Sequence, residues 1–377
     1  KILIAPDSFK GSATSSKAAE AIGKGVHTVF PDADLIKIPV ADGGEGTVEA
    51  LTDSMHGEII SKSVKGPLGE AVEAEYGILP GEVAVIEMAS ASGLPLVPDN
   101  KRNPLLTSTY GTGQLILDAL NRGCKEIILG IGGSATNDGG TGMARALGYQ
   151  FLDSSGNELA EGGGSLVNLA EIDDSEVDDS IFETKFFIAC DVTNPLTGLE
   201  GASHIYGAQK GASPKDIEVL DGALGKLAAV VSNKYGRVNE NISGAGAAGG
   251  LGFGLMEFCA GELKSGIEIV LDLINFDDYL DGVDLVISGE GRIDGQSVYG
   301  KVPVGIAGRA KKKDIPVLVI VGDIGPKVEA VYDHGIDAVM SSVNRAMSLE
   351  EAMSRSYELL IDSSARAMRM IKIGMDL

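Results

Sequence analysis

Short, mostly apolar runs recur along this chain at residues 2–5, 35–38, 126–131, 185–190, 283–287, 317–321 and 337–340. Their length and composition predict strands buried on both faces, as in a parallel sheet. The first run leads through a polar loop into a stretch carrying Ala18, Ile22, Val26 and Val29 at helical spacing, which predicts a β-loop-α unit. Between residues 58 and 87 the rhythm changes. Val72, Ala74, Tyr76 and Ile78 alternate, and Gly-Pro and Pro-Gly pairs stand at 66–67 and 80–81, so antiparallel strands are expected there. Helices are expected over 113–121, 143–147, 303–313 and 326–334. Another follows Ser213-Pro214, with Ile217, Leu220, Leu224, Leu227 and Val231 as its apolar stripe, and a last one runs from the capping box at Ser348 to about 371.

The runs at 2–5, 35–38, 283–287, 317–321 and 337–340 make up a five-stranded sheet of flavodoxin-like type, interrupted by the middle of the chain. The expected fold is therefore α/β with two domains. One is a discontinuous flavodoxin-like parallel-sheet domain of residues 1–60 plus 283–377. The other is an inserted α/β domain with a mixed sheet, residues 61–282, and the ligand site is expected in the cleft between them. A length of 377 residues exceeds one ordinary core and fits this division.

Charge narrows the partners. Asp and Glu number 54 against 31 Lys and Arg, a formal charge of −23, which opposes binding to nucleic acid or anionic lipid. An anionic small molecule must then be held by local cations, backbone donors or a metal ion. The three cysteines, Cys124, Cys190 and Cys259, are odd in number and widely spaced, which fits neither a disulfide framework nor a zinc site. No run is long enough to span a membrane, and the apolar start is too short for a signal peptide. A soluble, cytoplasmic protein is expected, with no nucleic-acid or membrane partner; a homo-oligomer is compatible with all of this.

Glycine, with 52 residues, is about twice its usual share and gathers in loops. In Ile131-Gly-Gly-Ser-Ala-Thr-Asn-Asp-Gly-Gly-Thr-Gly142, glycines leave backbone N–H groups open to an anion, while Ser134, Thr136, Asn137 and Asp138 add side-chain hydrogen-bond groups. Residues 42–51 and 138–147 share the pattern D-G-G-x-G-x-x-x-A-L. Each places an acid and three glycines ahead of a helix, an arrangement suited to phosphate beside Mg²⁺. A P-loop fails at 295–301, because Val302 stands where Ser or Thr is needed. The match of 244–249 to G-x-G-x-x-G follows a segment too polar for a buried strand. A stronger rival is 130–135, which fits a dinucleotide fingerprint with Asp153 as ribose-binding acid and would make the chain a nicotinamide-dependent oxidoreductase. Against it, Asn137-Asp-Gly-Gly140 would break the first turns of its helix.

The cations beside glycine or acid clusters are Lys10, Lys210, Arg292 and Lys301. Glu290, Arg292 and Asp294 crowd the carboxyl end of an expected parallel strand, where open α/β sheets bind ligands.

Seven segments taken together resemble the signature blocks of the type-1 glycerate kinases, in the family's order and over almost the whole chain. They are Ala5-Pro-Asp-Ser-Phe-Lys-Gly-Ser12, Ala41-Asp-Gly-Gly-Glu-Gly-Thr47, Gly132-Gly-Ser-Ala-Thr-Asn-Asp-Gly-Gly140, Cys190-Asp-Val-Thr-Asn-Pro-Leu196, Gln209-Lys-Gly211, Gly244-Ala-Gly-Ala-Ala-Gly-Gly250 and Gly289-Glu-Gly-Arg-Ile-Asp-Gly-Gln-Ser297. The resemblance implies ATP-dependent phosphorylation of D-glycerate, with 2-phosphoglycerate as the usual bacterial product, and a two-domain α/β fold with one flavodoxin-like domain. ATP is the phosphate donor it implies, and phosphoryl transfer calls for Mg²⁺ beside it. Phosphoryl transfer then suggests roles. Lys10, Lys210, Lys301 and Arg292 are candidate phosphate or carboxylate clamps. Asp191, at the end of an expected strand, is the candidate base, and Asp42 and Asp138 are candidate metal ligands. Gly132, Gly133, Ser134, Asn137 and Gly139, with Gly43, Gly44 and Glu290, are expected to contact the nucleotide along with Lys301.

Overall fold

The computed structural model describes residues 1–41, 44, 46–237, 239–298 and 300–375. The fold is α/β, and the chain separates into two compact units. One comprises Lys1–Asp42, Asp53–Met55 and Gly266–Leu377; the other comprises Gly43–Thr52 and His56–Ser265.

The first unit is built on a five-stranded, all-parallel sheet. Its spatial order is Leu35–Lys37, Ile2–Pro6, Leu285–Ile293, Val317–Ile324 and Ala338–Ser341, the 2-1-3-4-5 order of the flavodoxin-like fold. Ile2, Ile4, Ile287, Leu318 and Ile320 share a core with the helices Ser15–Val29 and Ser356–Met375. Alternate residues such as Leu3 turn to the other face, where the helix Val302–Lys311 packs on three of the strands. That two-sided burial is why the three central strands read as continuous apolar runs. Helix Ser15–Val29 starts where the Thr14 hydroxyl accepts the Lys17 N–H at 3.3 Å. It crosses the last helix so closely that a Cβ on Gly25 would lie 1.9 Å from Ser364 Oγ.

Three local expectations give way here. Residues 328–334 form a 3₁₀ helix instead of an α-helix. The expected last helix is two, Leu349–Ser354 and Ser356–Met375, separated at Arg355. The chain also returns to this unit at Gly266 instead of 283, because helix Gly266–Leu273 packs on helix Val302–Lys311, with Ile267 filling the space beside Gly305.

The second unit holds a six-stranded mixed sheet in the order Glu262–Lys264, Lys185–Ala189, Glu126–Gly130, Val83–Glu87, Ala71–Leu79 and Glu58–Lys65. The first four strands are mutually parallel, and the last two are antiparallel additions. A separate antiparallel pair joins Gln150–Leu152 to Glu171–Asp173. Helix Pro214–Tyr235 begins at a capping box between Ser213 and Asp216 and buries the leucines of its apolar stripe. No helix among the described residues is long and apolar enough to cross a membrane.

Candidate active site

In the parallel-sheet unit the carboxyl ends of the strands open onto a cavity of about 810 Å³. Its position follows from strand order. The strands Ile2–Pro6 and Leu285–Ile293 are neighbours, and the order reverses between them, so their outgoing loops diverge and leave a crevice. Asp7 and Lys10 come from the first loop; Glu290, Arg292 and Lys301 come from the second strand and the passage after it; Asp323 follows from the next strand.

Two of the three cations in this cavity lie beside acids. Lys301 Nζ lies 3.0 Å from Glu290 Oε2, and the Glu290 side chain is only 3% exposed, so the pair anchors an ammonium that still reaches the surface. Arg292 approaches Asp294 at 3.6 Å and Asp323 at 3.5 Å. Both contacts are long for charge-assisted bonds, leaving the guanidinium able to turn to a stronger anion. Among the described residues Lys10 makes no ion pair, and it is exposed at the cavity. The buried Asp7 accepts the Ser8 N–H at 2.6 Å. Lys10, Glu290, Arg292 and Lys301 are therefore brought together.

The inserted unit has its own carboxyl edge. Glu87, Gly130 and Ala189 stand in register on adjacent parallel strands, with Lys264 beside Ala189. Just beyond them lie Gly132 and Gly133, both exposed, and Asp191, also exposed, whose Oδ1 accepts the Ser265 hydroxyl at 2.9 Å. Glu87 was not foreseen as a site residue. Its Oε1 accepts the Val48 N–H at 3.0 Å, at the start of helix Thr47–Met55, where the helix dipole favours an anion. The only signal in the sequence is an acid directly after an apolar run. Burial pushes the Cys190 thiol up to about 11, so it is inert beside Asp191 at neutral pH.

Behind the exposed tip the glycine loop turns inward. Ser134 is 8% exposed, and Thr136, Asn137 and Asp138 are fully buried. One oxygen of Asp138 accepts the Thr109 N–H at 2.8 Å, the Thr109 hydroxyl at 2.9 Å and the Gly142 N–H at 3.2 Å; the other accepts the Gly140 N–H at 3.2 Å. Burial raises its pKa against the pull of those bonds. With both oxygens engaged and no access to solvent, Asp138 organises the loop and is not an open metal ligand, which corrects that expectation.

Lys210 is corrected in the same way. It is 2% exposed and donates to the Thr136 carbonyl at 2.7 Å, so it fastens the loop from beneath and does not clamp a ligand. Burial lowers its pKa to about 7, partly opposed by the nearby Asp138 charge. Asn137 donates to Ser203 Oγ at 2.9 Å, and the Gly139 N–H is taken by the Gly249 carbonyl at 3.0 Å. Neither group is open to a nucleotide.

The glycines at 244–254 explain this burial. A Cβ on Gly249 would lie 2.0 Å from the Thr136 carbonyl oxygen, and one on Gly254 would lie 2.5 Å from that of Gly139. Two backbones thus pack directly on each other, and the second glycine-rich segment serves packing.

The matching motif at 42–51 does not repeat this geometry. Its helix starts at Thr47 after a left-handed Gly46, whereas the helix after Asp138 starts at Thr141 after a left-handed Gly140. Gly44 accepts the Thr47 hydroxyl at 2.7 Å. Asp42 and Gly43 lie outside the described residues.

The glycerate kinase family profile matches residues 2–372. A glycerate kinase from Halalkalibacterium halodurans is 53% identical over 98% of this chain and 97% of its own length. The glycerate 2-kinase of Escherichia coli is 50% identical over 100% and 99%. A crystal structure from Salmonella typhimurium LT2, assigned to glycerate kinase 2, superimposes with a TM-score of 0.91 at 46% identity, covering 100% of this chain and 99% of that one. The chain belongs to the glycerate kinase family.

Family membership makes the chain a kinase, and the local structure shows why the rival dinucleotide fingerprint fails. No helix begins within 130–135; the next starts at Thr141. Asp153 follows a strand of the separate two-stranded sheet. Its carboxylate accepts the Ser155 and Asn157 N–H groups, which lowers its pKa. A ribose-binding acid belongs instead at the end of the neighbouring parallel strand.

Proposed function

We infer that this glycerate kinase family member transfers the γ-phosphoryl group of ATP to D-glycerate, giving 2-phosphoglycerate. One observation carries the reading: Lys10, Arg292 and Lys301 meet Asp7, Glu290 and Asp323 around one cavity at the switch point of a parallel sheet. Phosphoryl transfer demands little covalent chemistry of a protein and much positioning and charge neutralisation. Local cations are needed all the more in a chain of formal charge −23, whose overall field repels both ATP and glycerate. The Escherichia coli relative, named a glycerate 2-kinase, supports the choice of hydroxyl.

Lys10 and Lys301 hold phosphate oxygens, with Glu290 fixing Lys301 at 3.0 Å. Arg292 exchanges its two long acid contacts for the phosphate, a planar fork being suited to that geometry. In the inserted unit, Asp191 accepts the proton of the attacking hydroxyl and is aimed by Ser265. Gly132 and Gly133 offer unshielded backbone to the glycerate carboxylate, and Ser134 closes the base of that tip.

Among the described residues no group of three or more His, Cys, Asp or Glu side chains forms a metal cage. Mg²⁺ does not require one, because it is held by one or two carboxylates together with substrate phosphates and water. The hard oxygens of Asp7 and Asp323 on the cavity fit that donor set. Mg²⁺ bound there would neutralise charge on the triphosphate.

Purified protein supplied with ATP, Mg²⁺ and D-glycerate should release ADP in step with glycerate consumption. ADP release that does not depend on glycerate would overturn the reading.

A further inference from the structure

The cavity of the parallel-sheet unit has a second lining that neither phosphate nor glycerate can use. Val343, Met347, Leu349 and Met353 contribute apolar side chains to it, from the chain after strand Ala338–Ser341 and from helix Leu349–Ser354. Leu349 leaves 76% of its surface exposed. Ser348 caps this helix by accepting the Glu351 N–H at 3.1 Å, which fixes the placement of Leu349 at the first helical position. An apolar group held in water at the lip of a charged cavity is covered at a gain when an apolar ligand surface arrives.

We propose that this apolar lining is the seat of the nucleobase of the phosphate donor, so that the parallel-sheet unit binds a whole nucleoside triphosphate. The proposal rests on the kinase reading and extends it. The charged groups come from the loop after Ile2–Pro6 and from Leu285–Ile293 and the passage after it, and the apolar ones come from the chain after strand Ala338–Ser341. One cavity thus joins both kinds of lining, which suits a molecule that is apolar at one end and multiply anionic at the other. Glycerate, with three carbons all bearing oxygen, has nothing to place against Val343 or Leu349.

Two features favour a base over an aliphatic chain. The lining includes Ser341, Ser342 and Ser348, whose hydroxyls can meet the polar edge of a ring. Met347 and Met353 are unbranched and polarisable, suited to the face of a planar aromatic system. Met353 is already seated, since its Cε would lie 2.8 Å from a Cβ on Gly11.

The test is isothermal titration calorimetry of the full chain in Mg²⁺ with two probes, the non-hydrolysable analogue AMP-PNP and inorganic tripolyphosphate. The double variant Leu349→Asn/Met347→Gln changes no charge, and Leu349 lies on the surface. Its AMP-PNP affinity is expected to fall about tenfold, with tripolyphosphate affinity and melting temperature unchanged. Equal AMP-PNP affinity in wild type and variant, or equal losses for both probes, would overturn the assignment. Glycerate turnover of the wild type is measured alongside. Turnover with unchanged AMP-PNP affinity in the variant sinks the base site alone. A base-dependent loss of affinity without glycerate turnover sinks the glycerate reading alone.

Discussion

Two passages of this chain use the same local grammar, strand then glycine-rich loop then helix, to opposite ends. The loop after Ile2–Pro6, the end of strand Leu285–Ile293 and the passage after it put Lys10, Arg292 and Lys301 onto an open cavity. The loop after Glu126–Gly130 exposes only Gly132 and Gly133, then buries Asn137, Asp138 and, beneath them, Lys210. What separates the two is where the polar groups find partners. Asp138 spends both oxygens on four protein donors, whereas Lys10 makes no ion pair among the described residues. Charge with spare bonding capacity at a strand's carboxyl end serves a ligand; charge with its capacity filled serves the scaffold.

The contrast can be broken by substitutions on each side. The largest effect is expected at Asp191. Asp191→Asn should lower kcat about 10²–10⁴-fold, the span for loss of a positioned base, with the KM for ATP little changed in steady-state kinetics. A kcat within a few-fold of wild type would remove it as base. Lys10→Ala comes next, with kcat/KM down about 10²–10³-fold, as for loss of a preorganised charge-stabilising donor, and the melting temperature unmoved. If Lys10→Ala melted far below wild type instead, the open edge would be scaffold too.

On the buried side, Gly139→Ala should mainly cost stability. Gly139 has φ +64°, and its added Cβ would lie 2.4 Å from Leu227 Cδ2. Left-handed strain and overpacking each cost about 1–3 kcal/mol. Gly132→Ala, with nothing within 4 Å of the new Cβ, should change stability by less than about 0.5 kcal/mol. Chemical denaturation of the pair checks both, and equal losses would erase the distinction between tip and base.

The smallest effect is a pH dependence from Lys210. Its pKa is about 7 folded against 10.5 for the free side chain. Between those values the unfolded chain binds more protons, so this residue makes stability rise with pH from about 7 toward 10.5 and contributes no slope below that window. Lys210→Met should flatten that rise in melting curves taken at pH 7 and 9. An identical slope in wild type and variant would mean that Lys210 is not buried as described.

Much of the fold is legible in the sequence, because strands covered on both faces must be apolar throughout. The three central strands of the parallel sheet show as such runs, the two edge strands as shorter, mostly apolar ones, and the loops at their carboxyl ends already point to Lys10, Glu290, Arg292 and Lys301. What escapes is set by long-range contacts. Glu87 closes a stretch whose alternation suggests antiparallel pairing, yet its own strand runs parallel to Glu126–Gly130, and that register alone brings it to the edge. Lys210 next to a glycine looks like a surface clamp; only the close backbone packing of residues 244–254 against 136–140 buries the floor on which it acts. The shared D-G-G-x-G pattern misleads because the two helices begin at different distances from their acids.

The most direct measurement is phosphorus NMR of the product mixture from purified protein, ATP, Mg²⁺ and D-glycerate. The expected spectrum gains the resonance of 2-phosphoglycerate in proportion to ADP. A resonance of 3-phosphoglycerate would contradict the choice of hydroxyl, and a spectrum holding only ATP would contradict the phosphotransfer itself.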